Sequence, residues 1–154
     1  MAVHLTATVR VAVTPPTHYD PSIAGLARIV EVSLDKLDLT IQKYRVLTHL
    51  SRGPASPSDL ADRLSVRPPT VTRLVDGLVE KGLVVRRPDS TDGRRSVHVL
   101  TRSGTAVLKK AELAIDAVLD DMAAELDDDE RAKASEGLRL WGEAMRRRWL
   151  RAHE

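Results

Sequence analysis

Apolar residues recur at spacings of three and four in six stretches of the chain, and this pattern predicts six amphipathic helices. Two of the helices are short and consecutive, at residues 56–64 and 68–81, with a tight turn between them. Each helix begins at a proline or at a residue whose side chain can accept hydrogen bonds from the first backbone amides. These starts are Asp20-Pro21, Thr40, Ser56-Pro57, Pro68-Pro69, Thr101 and Asp127.

Two short runs rich in β-branched residues, at 83–87 and 97–100, predict strands. Asp92-Gly93 between them is a turn-forming pair, so the two strands form a hairpin with a long tip. Apolar residues also alternate from Val3 to Val13, before Pro15-Pro16. This alternation is compatible with an ordered extended arm and equally with a frayed terminus.

The predicted elements give a mainly α fold with a small β-wing. Two short helices joined by a tight turn and followed by a hairpin form a winged helix-turn-helix. In this architecture the first helix supports the second, and the second enters a groove about 12 Å wide in double-stranded DNA. The fold therefore predicts a nucleic-acid-binding surface on the helix at 68–81.

Composition excludes several other classes of protein. The chain has 154 residues, 42% of them hydrophobic and 30% charged, which fits one globular domain with flanking helices. It has no cysteine, which excludes disulfides, thiolate metal sites and cysteine-based redox sensing. No apolar run approaches the roughly 18 residues of a membrane helix, and the amino terminus shows no signal peptide. We therefore expect a cytoplasmic protein without a membrane partner.

Charge is distributed unevenly along the chain. Residues 40–104 hold 12 basic and 6 acidic side chains, a net charge of +6, whereas the remainder has a net charge of −4. A basic centre predicts a polyanionic partner, although an arginine-rich solvated surface would give the same count.

The helix at 68–81 carries the candidate base-reading residues. Its apolar stripe is predicted to face the core, and only the amino-terminal part of its opposite face is free of acidic residues. Arg73 can bind a guanine or a phosphate, while Thr70 and Thr72 can donate to phosphate or contact a thymine methyl group.

Several consecutive motifs together resemble the MarR family of bacterial transcriptional regulators. The resemblance covers Ala24 to Trp149, and its order and spacing are more specific than any single motif. The matching segments are Leu39–Leu47, Ser58–Leu64, Thr70–Asp76, Glu80–Val84, Asp89–Arg95 and Leu100–Gly104.

The resemblance implies a transcriptional repressor. It would bind, as a homodimer, to a palindromic operator in double-stranded DNA. The two recognition helices would lie in successive major grooves, and Arg94 at the wing tip would enter the minor groove with Asp92 holding its guanidinium group. Arg87 and Arg95 would contact the DNA backbone. The full set of predicted DNA-binding residues is Ser58, Arg67, Pro69, Thr70, Thr72, Arg73, Arg87, Asp92, Arg94 and Arg95.

Together with the resemblance, the predicted elements divide the chain into a dimerisation helix at 20–39, a winged helix-turn-helix at 40–104 and dimerisation helices at 105–154. The strand-like arm at 1–19 departs from the family. Within the part at 40–104, the helix-turn-helix covers 56–79 and the wing 83–100. Predicted dimer-interface residues are Leu26, Leu138, Trp141, Met145 and Trp149. A small aromatic or phenolic ligand that releases the protein from DNA would bind near Leu34, Tyr44, His49 and Ile115.

The sequence departs from the family where Arg67 stands before the recognition helix in place of a capping residue. Pro68 and Pro69 compensate in part, because neither has an amide that needs a partner. The histidines are scattered along the chain, so we predict no metal site. The sequence shows no nucleophile motif and no phosphate-binding loop, so we predict neither an enzyme nor a bound cofactor. A winged helix that docks other proteins without binding specific DNA is the alternative function. An RNA-binding winged helix is disfavoured by the lack of exposed aromatic residues.

Overall fold

The structure, a computed structural model, describes residues 22–89, 92 and 95–152. The arm predicted at residues 1–19 and the helix start predicted at Asp20-Pro21 lie outside the described residues. Within the described ranges the fold is mainly α-helical with one two-stranded antiparallel sheet. The elements are α1 (Ser22–Asp35), α2 (Ile41–Leu50), α3 (Pro57–Leu64), α4 (Pro68–Glu80), β1 (Val84–Pro88), β2 (Ser96–Leu100), α5 (Arg102–Ala123) and α6 (Asp128–Arg151).

Side-chain caps start four of the helices, as the sequence predicts. The Ser56 hydroxyl accepts from the Asp59 amide at 3.2 Å, and the Asp59 carboxylate accepts from the Ser56 amide at 2.9 Å. Asp127 and Glu130 form the same reciprocal capping box at the start of α6, with distances of 2.8 and 3.1 Å. Single caps by Thr40 and Thr101 start α2 and α5. Each cap satisfies a helix amide that would otherwise lack a partner.

The hydrophobic core lies within the winged helix-turn-helix, where the apolar faces of α2, α3 and α4 meet α1, α5 and the start of β1. Aliphatic side chains fill it, in keeping with a sequence that has no phenylalanine. The most deeply buried large side chains are Leu34, Leu39, Val46, Leu47, Leu60, Val71, Val75, Leu78 and Val84.

Several element boundaries differ from the sequence prediction, among them the end of the first helix and the start of the first strand. The apolar spacing predicts that the first helix continues through Leu37, but α1 ends at Asp35, and Asp38 has a φ of 53°. The Leu39 amide donates to the Leu34 carbonyl at 3.1 Å, which turns the chain into α2. The first strand begins at Val84 and not at Leu83, because the Leu83 amide donates to the Leu78 carbonyl at 2.9 Å and so belongs to the turn that ends α4.

The wing is attached to the helix-turn-helix by a short bridge. In the sheet, Val84 pairs with Leu100 and Pro88 with Ser96. Ala55, just before α3, forms an antiparallel bridge to His98 on β2. The bridge thus joins strand β2 of the wing to the segment that leads into α3.

The last helix is the least buried element. No residue of α6 is buried, although it carries large apolar side chains. Trp141 is 56% exposed and Met145 is 64% exposed. None of the helices in the described part of the chain is long and apolar enough to cross a membrane.

Candidate nucleic-acid interface

Helix α4 presents a core face and an open face. Val71, Val75 and Leu78 are buried, and they anchor the helix to the rest of the domain. The open face carries the residues predicted from the sequence, all of them exposed: Pro69, Thr70, Thr72 and Arg73. Their spacing places them in the first two turns, the part of a recognition helix that reaches base edges.

The amino terminus of α4 has no capping side chain. Arg67 is the cap residue in an extended conformation, and its side chain makes no capping hydrogen bond. Pro68 and Pro69 have no amide hydrogens, and the amides of Thr70 and Val71 both donate to the Arg67 carbonyl, at 2.9 and 3.3 Å. No amide at this end is therefore left to bind a phosphate, so the exposed Arg67 guanidinium group is the available anion-binding group.

Hydrogen bonding limits what Thr72 can offer to DNA. Its hydroxyl donates to the Pro68 carbonyl at 3.2 Å within the same helix. The exposed side chain consequently presents its methyl group and oxygen lone pairs, a combination that suits a thymine methyl group better than a phosphate.

Ser58 and Asp59 lie together at the start of α3. The hydroxyl groups of Ser56 and Ser58 are 2.9 Å apart and share a hydrogen bond, which orients the predicted DNA-binding Ser58. Hydrogen bonds from Ser56 lower the pKa of Asp59, and the charges of Arg63 and Arg95 lower it further. The Asp59 carboxylate therefore remains ionised and keeps the capping box intact at neutral pH.

An ion pair that the sequence does not predict connects the recognition helix to the wing. Asp76 on α4 pairs with Arg86 on β1. The pair neutralises an acidic side chain on the α4 surface and joins the two elements that would contact DNA. The matching charges are visible in the sequence, but their proximity depends on how the hairpin folds against α4.

Two backbone hydrogen bonds connect the described residues at the tip of the wing. The Asp89 amide donates to the Arg95 carbonyl at 2.9 Å, and the Arg95 amide donates to the Asp92 carbonyl at 2.8 Å. Arg87, Asp92 and Arg95 are exposed. Arg94 lies outside the described residues, so its positioning by Asp92 stays a prediction.

Four exposed arginines on these elements are Arg67, Arg73, Arg87 and Arg95. Among the residues that the structure describes, none of the four forms an ion pair. Unpaired guanidinium groups on the turn, the recognition helix and the wing form a cationic surface that suits a phosphate backbone.

The residues predicted to contact a ligand occupy different environments. Leu34 is fully buried, and Tyr44 and Ile115 are partly buried against the core. Burial raises the pKa of Tyr44. His49 lines a separate cavity between α2, α3 and α6. The ligand-binding role of the four residues stays a prediction, and Leu34 contributes to core packing in this structure.

The predicted dimer residues fall into two groups. Leu26 and Leu138 line an apolar groove between α1, α5 and α6, while Trp141 and Met145 are exposed. The indole of Trp149 instead lies against α3 of the same chain, where its N–H group donates to the Asp62 carbonyl at 3.4 Å. The dimer interface itself stays a prediction.

Comparison with known proteins identifies the family. A family model described as "MarR family" matches residues 37–95. The HTH-type transcriptional regulator Mb0904 of Mycobacterium bovis is 34% identical over 111 residues, which are 71% of this chain and 78% of that protein. The HTH-type transcriptional repressor Rv2887 of Mycobacterium tuberculosis is 33% identical over 87 residues, 56% of this chain and 63% of that protein.

A solved structure shows the same fold. A mutant of MepR from Staphylococcus aureus, bound to an oligodeoxyribonucleotide, has a TM-score of 0.62 and 22% sequence identity, and the match covers 83% of this chain and 99% of that one. The fold and the relatives lead to the same conclusion about the family. The chain belongs to the MarR family of transcriptional regulators.

Proposed function

We propose that this regulator binds a palindromic operator as a homodimer and represses the adjacent gene. The observation that carries the proposal is the exposed amino-terminal half of α4, where Thr70, Thr72 and Arg73 project from a helix whose other face is fixed in the core. A rigid helix with exposed polar side chains on its first turns is the geometry that major-groove recognition requires.

Each exposed group has a distinct proposed role. Arg73 donates to the O6 and N7 atoms of a guanine, and the Thr72 methyl group contacts a thymine. Arg67 and Arg87 bind backbone phosphates on either side and fix the register of the helix in the groove. Arg94 at the wing tip enters the adjacent minor groove, whose negative potential attracts a guanidinium group.

Dimerisation supplies the two-fold symmetry of the operator. Helix α6 leaves Leu138, Trp141 and Met145 exposed on one stripe, and a second copy of the chain would cover them. Two recognition helices held in this way would reach half-sites about one helical turn apart. The apolar groove that contains Leu26 and Leu138 continues the same surface onto α1 and α5.

The name of one relative and the fold support repression as the direction of regulation. The relative Rv2887 is named a repressor, and the similar MepR structure contains DNA. A dimer that occupies an operator blocks other proteins from the same site. Release by a small aromatic or phenolic ligand remains part of the proposal, with Tyr44, His49 and Ile115 as the partly exposed residues of its predicted site.

Selection of genomic fragments by the purified protein tests this function. The protein is incubated with sheared genomic DNA and an excess of a competing polyanion, and the retained fragments are sequenced and footprinted. We expect a small set of fragments that share an inverted repeat with half-sites about 10 base pairs apart, bound by two chains. Retention of no sequence above background would contradict the proposal and favour a protein-docking module.

A further inference from the structure

A buried histidine lies where the wing joins the helix-turn-helix. His98 is in the middle of β2 and is 4% exposed, whereas the flanking Val97 and Val99 are only partly buried. Its backbone amide donates to the Ala55 carbonyl at 2.8 Å, and its carbonyl accepts from the Ala55 amide at 3.2 Å. His98 therefore belongs to the junction that positions the wing relative to the start of α3.

Arg86 on β1 is the cross-strand neighbour of His98. Because the amide and carbonyl of His98 are bonded to Ala55, His98 and Arg86 form a non-hydrogen-bonded pair, the kind in which side chains on neighbouring antiparallel strands lie closest. The Arg86 guanidinium group is in turn paired with Asp76 on α4. The imidazole thus lies beside the ion pair that connects the wing to the recognition helix.

Charged groups surround this imidazole on several elements. Burial lowers the pKa of His98 most, the charge of Arg86 on β1 lowers it further, and the Ala55 backbone and the charge of Asp76 on α4 raise it by less. The other elements packed against β2 each bring one more charged group at the end next to the strand: Arg52 after α2, Asp59 in α3 and Arg102 in α5. The surroundings therefore favour the neutral imidazole.

A protonated imidazole would have no partner for its charge at this place. Nδ1 of His98 is inaccessible to solvent and has no hydrogen-bond partner among the residues that the structure describes. The acidic groups named above, Asp76 and Asp59, are already bonded to Arg86 and to the Ser56 amide. A buried cation beside a second cation costs free energy, and exposure of the imidazole to water removes that cost. Such exposure requires β2 to move away from the start of α3.

We propose that His98 is a positioning residue of the wing, whose neutral imidazole holds β2 against the start of α3 and whose protonation releases the wing. The released wing loses its contacts with the minor groove. Helix α4 continues to read the major groove, because Val71, Val75 and Leu78 fix it in the core. The effect on DNA rests on the proposed function, whereas release of the wing does not.

Amide hydrogen exchange at pH 7.5 and 5.5, corrected for the intrinsic exchange rate at each pH, tests the release without DNA. We expect peptides that contain β2 to open about fivefold more often at pH 5.5, and peptides from the middle of α5 to change much less. His98→Leu, whose side chain cannot be protonated, should remove the change in β2, and His98→Gln is a second neutral variant should the first not fold. His49→Gln, at another partly buried histidine, should retain the change.

Two results of the exchange measurement would overturn the proposal. An equal increase in β2 and α5 would show that the whole domain unfolds. An increase in β2 that is absent from the parent protein, or that persists in both His98 variants, would show that this histidine does not hold the wing.

Affinity for the selected operator provides the second arm. Between pH 7.5 and 5.5 it should fall about fivefold, and the preference for A·T over G·C pairs in the flanking minor groove should disappear, while discrimination within the half-sites is kept. Simple electrostatics predicts the opposite sign, since an added cation strengthens binding to phosphate. His98→Leu should show the same affinity and the same flank preference at both pH values.

The two arms separate this inference from the proposed function. A parent protein that selects no operator would contradict the proposed function, and the exchange measurement would still decide whether the wing is released. Operator affinity and flank preference that are both independent of pH would overturn the role of His98 and leave the proposed function intact.

Discussion

Gly104 lies directly against the backbone carbonyl oxygen of Leu83, with no room between them for a side chain. The same carbonyl accepts hydrogen bonds from the amide and the hydroxyl of Thr101, at 3.0 and 3.1 Å. The Leu83 carbonyl, just before β1, is therefore held against the start of α5. This junction fixes the wing relative to the helix that leads out of the DNA-binding domain.

Substitution of Gly104 by alanine should destabilise the protein by about 1–3 kcal/mol, because the new methyl group overlaps backbone that cannot move aside freely. Gly137→Ala in α6 is the matched control, since nothing lies within 4 Å of its position. There alanine should stabilise the helix by about 0.5–1 kcal/mol. Urea unfolding measures both changes, and equal effects of the two substitutions would contradict the close packing at Gly104.

Buried His98 makes stability depend on pH. Its backbone amide donates to the Ala55 carbonyl at 2.8 Å, and burial lowers the pKa of its side chain, as does the charge of Arg86 to a smaller extent. The interaction of the imidazole side chain with the Ala55 backbone and the charge of the Asp76 carboxylate raise this pKa, but by less than burial lowers it. The folded state therefore holds His98 neutral at a pH where the unfolded chain, with its ordinary pKa of 6.5, is already protonated.

The free energy of unfolding should consequently fall as the pH is lowered from 7.5 through 6.5 towards 5. The unfolded state binds the proton first, and each such proton contributes up to about 1.4 kcal/mol per pH unit. His98→Gln should reduce this slope, and the part that remains belongs in part to His49, whose pKa is also lowered. Urea unfolding at several pH values measures the slope. A slope that is unchanged in the variant would show that His98 is not the titrating group.

The exposed stripe of α6 predicts the effect of a charge at Trp141. Trp141→Asp should convert the dimer to a monomer and abolish operator binding, because both half-sites must be contacted at a fixed spacing. Leu140→Asp is the control: Leu140 is also 50% exposed, but it lies about 100° around the helix from Trp141, away from the stripe. Sedimentation and gel-shift measurements report the two properties. A monomeric parent protein at micromolar concentration would contradict the proposed dimer.

For Asp92 in the wing, two explanations predict opposite changes in operator affinity. Arg94→Ala should reduce operator affinity, and Asp92→Ala should reduce it as well, because Arg94 would regain rotamer freedom that binding must remove. Simple electrostatics predicts that loss of an acid near phosphate strengthens binding. The double variant should bind little worse than Arg94→Ala, since Asp92 acts through Arg94. Tighter operator binding by Asp92→Ala would show that Asp92 does not position Arg94 and is only a residue of the turn.

The sequence predicts the structural features that depend on residues close to one another along the chain. Ser56 with Asp59, and Asp127 with Glu130, can be assigned as capping boxes because each pair needs only one helical turn to meet. The contacts of Trp149 could not be predicted, because Asp62 is 87 residues away in sequence and the two meet only when the end of α6 comes against α3. The apolar spacing of α6, taken alone, accordingly predicts Trp149 in the dimer core.

The same limit applies to the DNA-binding surface. The exposed face of α4 follows from helical periodicity, which is local. The pairing of Asp76 with Arg86 and the bridge between Ala55 and His98 require the hairpin to fold back on the domain, and no local pattern specifies its position. The sequence therefore indicates which side chains are available for DNA, and the tertiary structure determines how the elements that carry them are joined.

The affinity of Arg73→Ala for the selected operator and for unrelated DNA, at several salt concentrations, tests the central claim most directly. If Arg73 reads a base, the variant should lose about 1–3 kcal/mol on the operator and much less on unrelated DNA, while Arg28→Ala should match the parent on both. An equal loss on all sequences, with the salt slope reduced by about one, would place Arg73 on a phosphate. Unchanged binding to every DNA would contradict the account, because it would remove the α4 face from the interface.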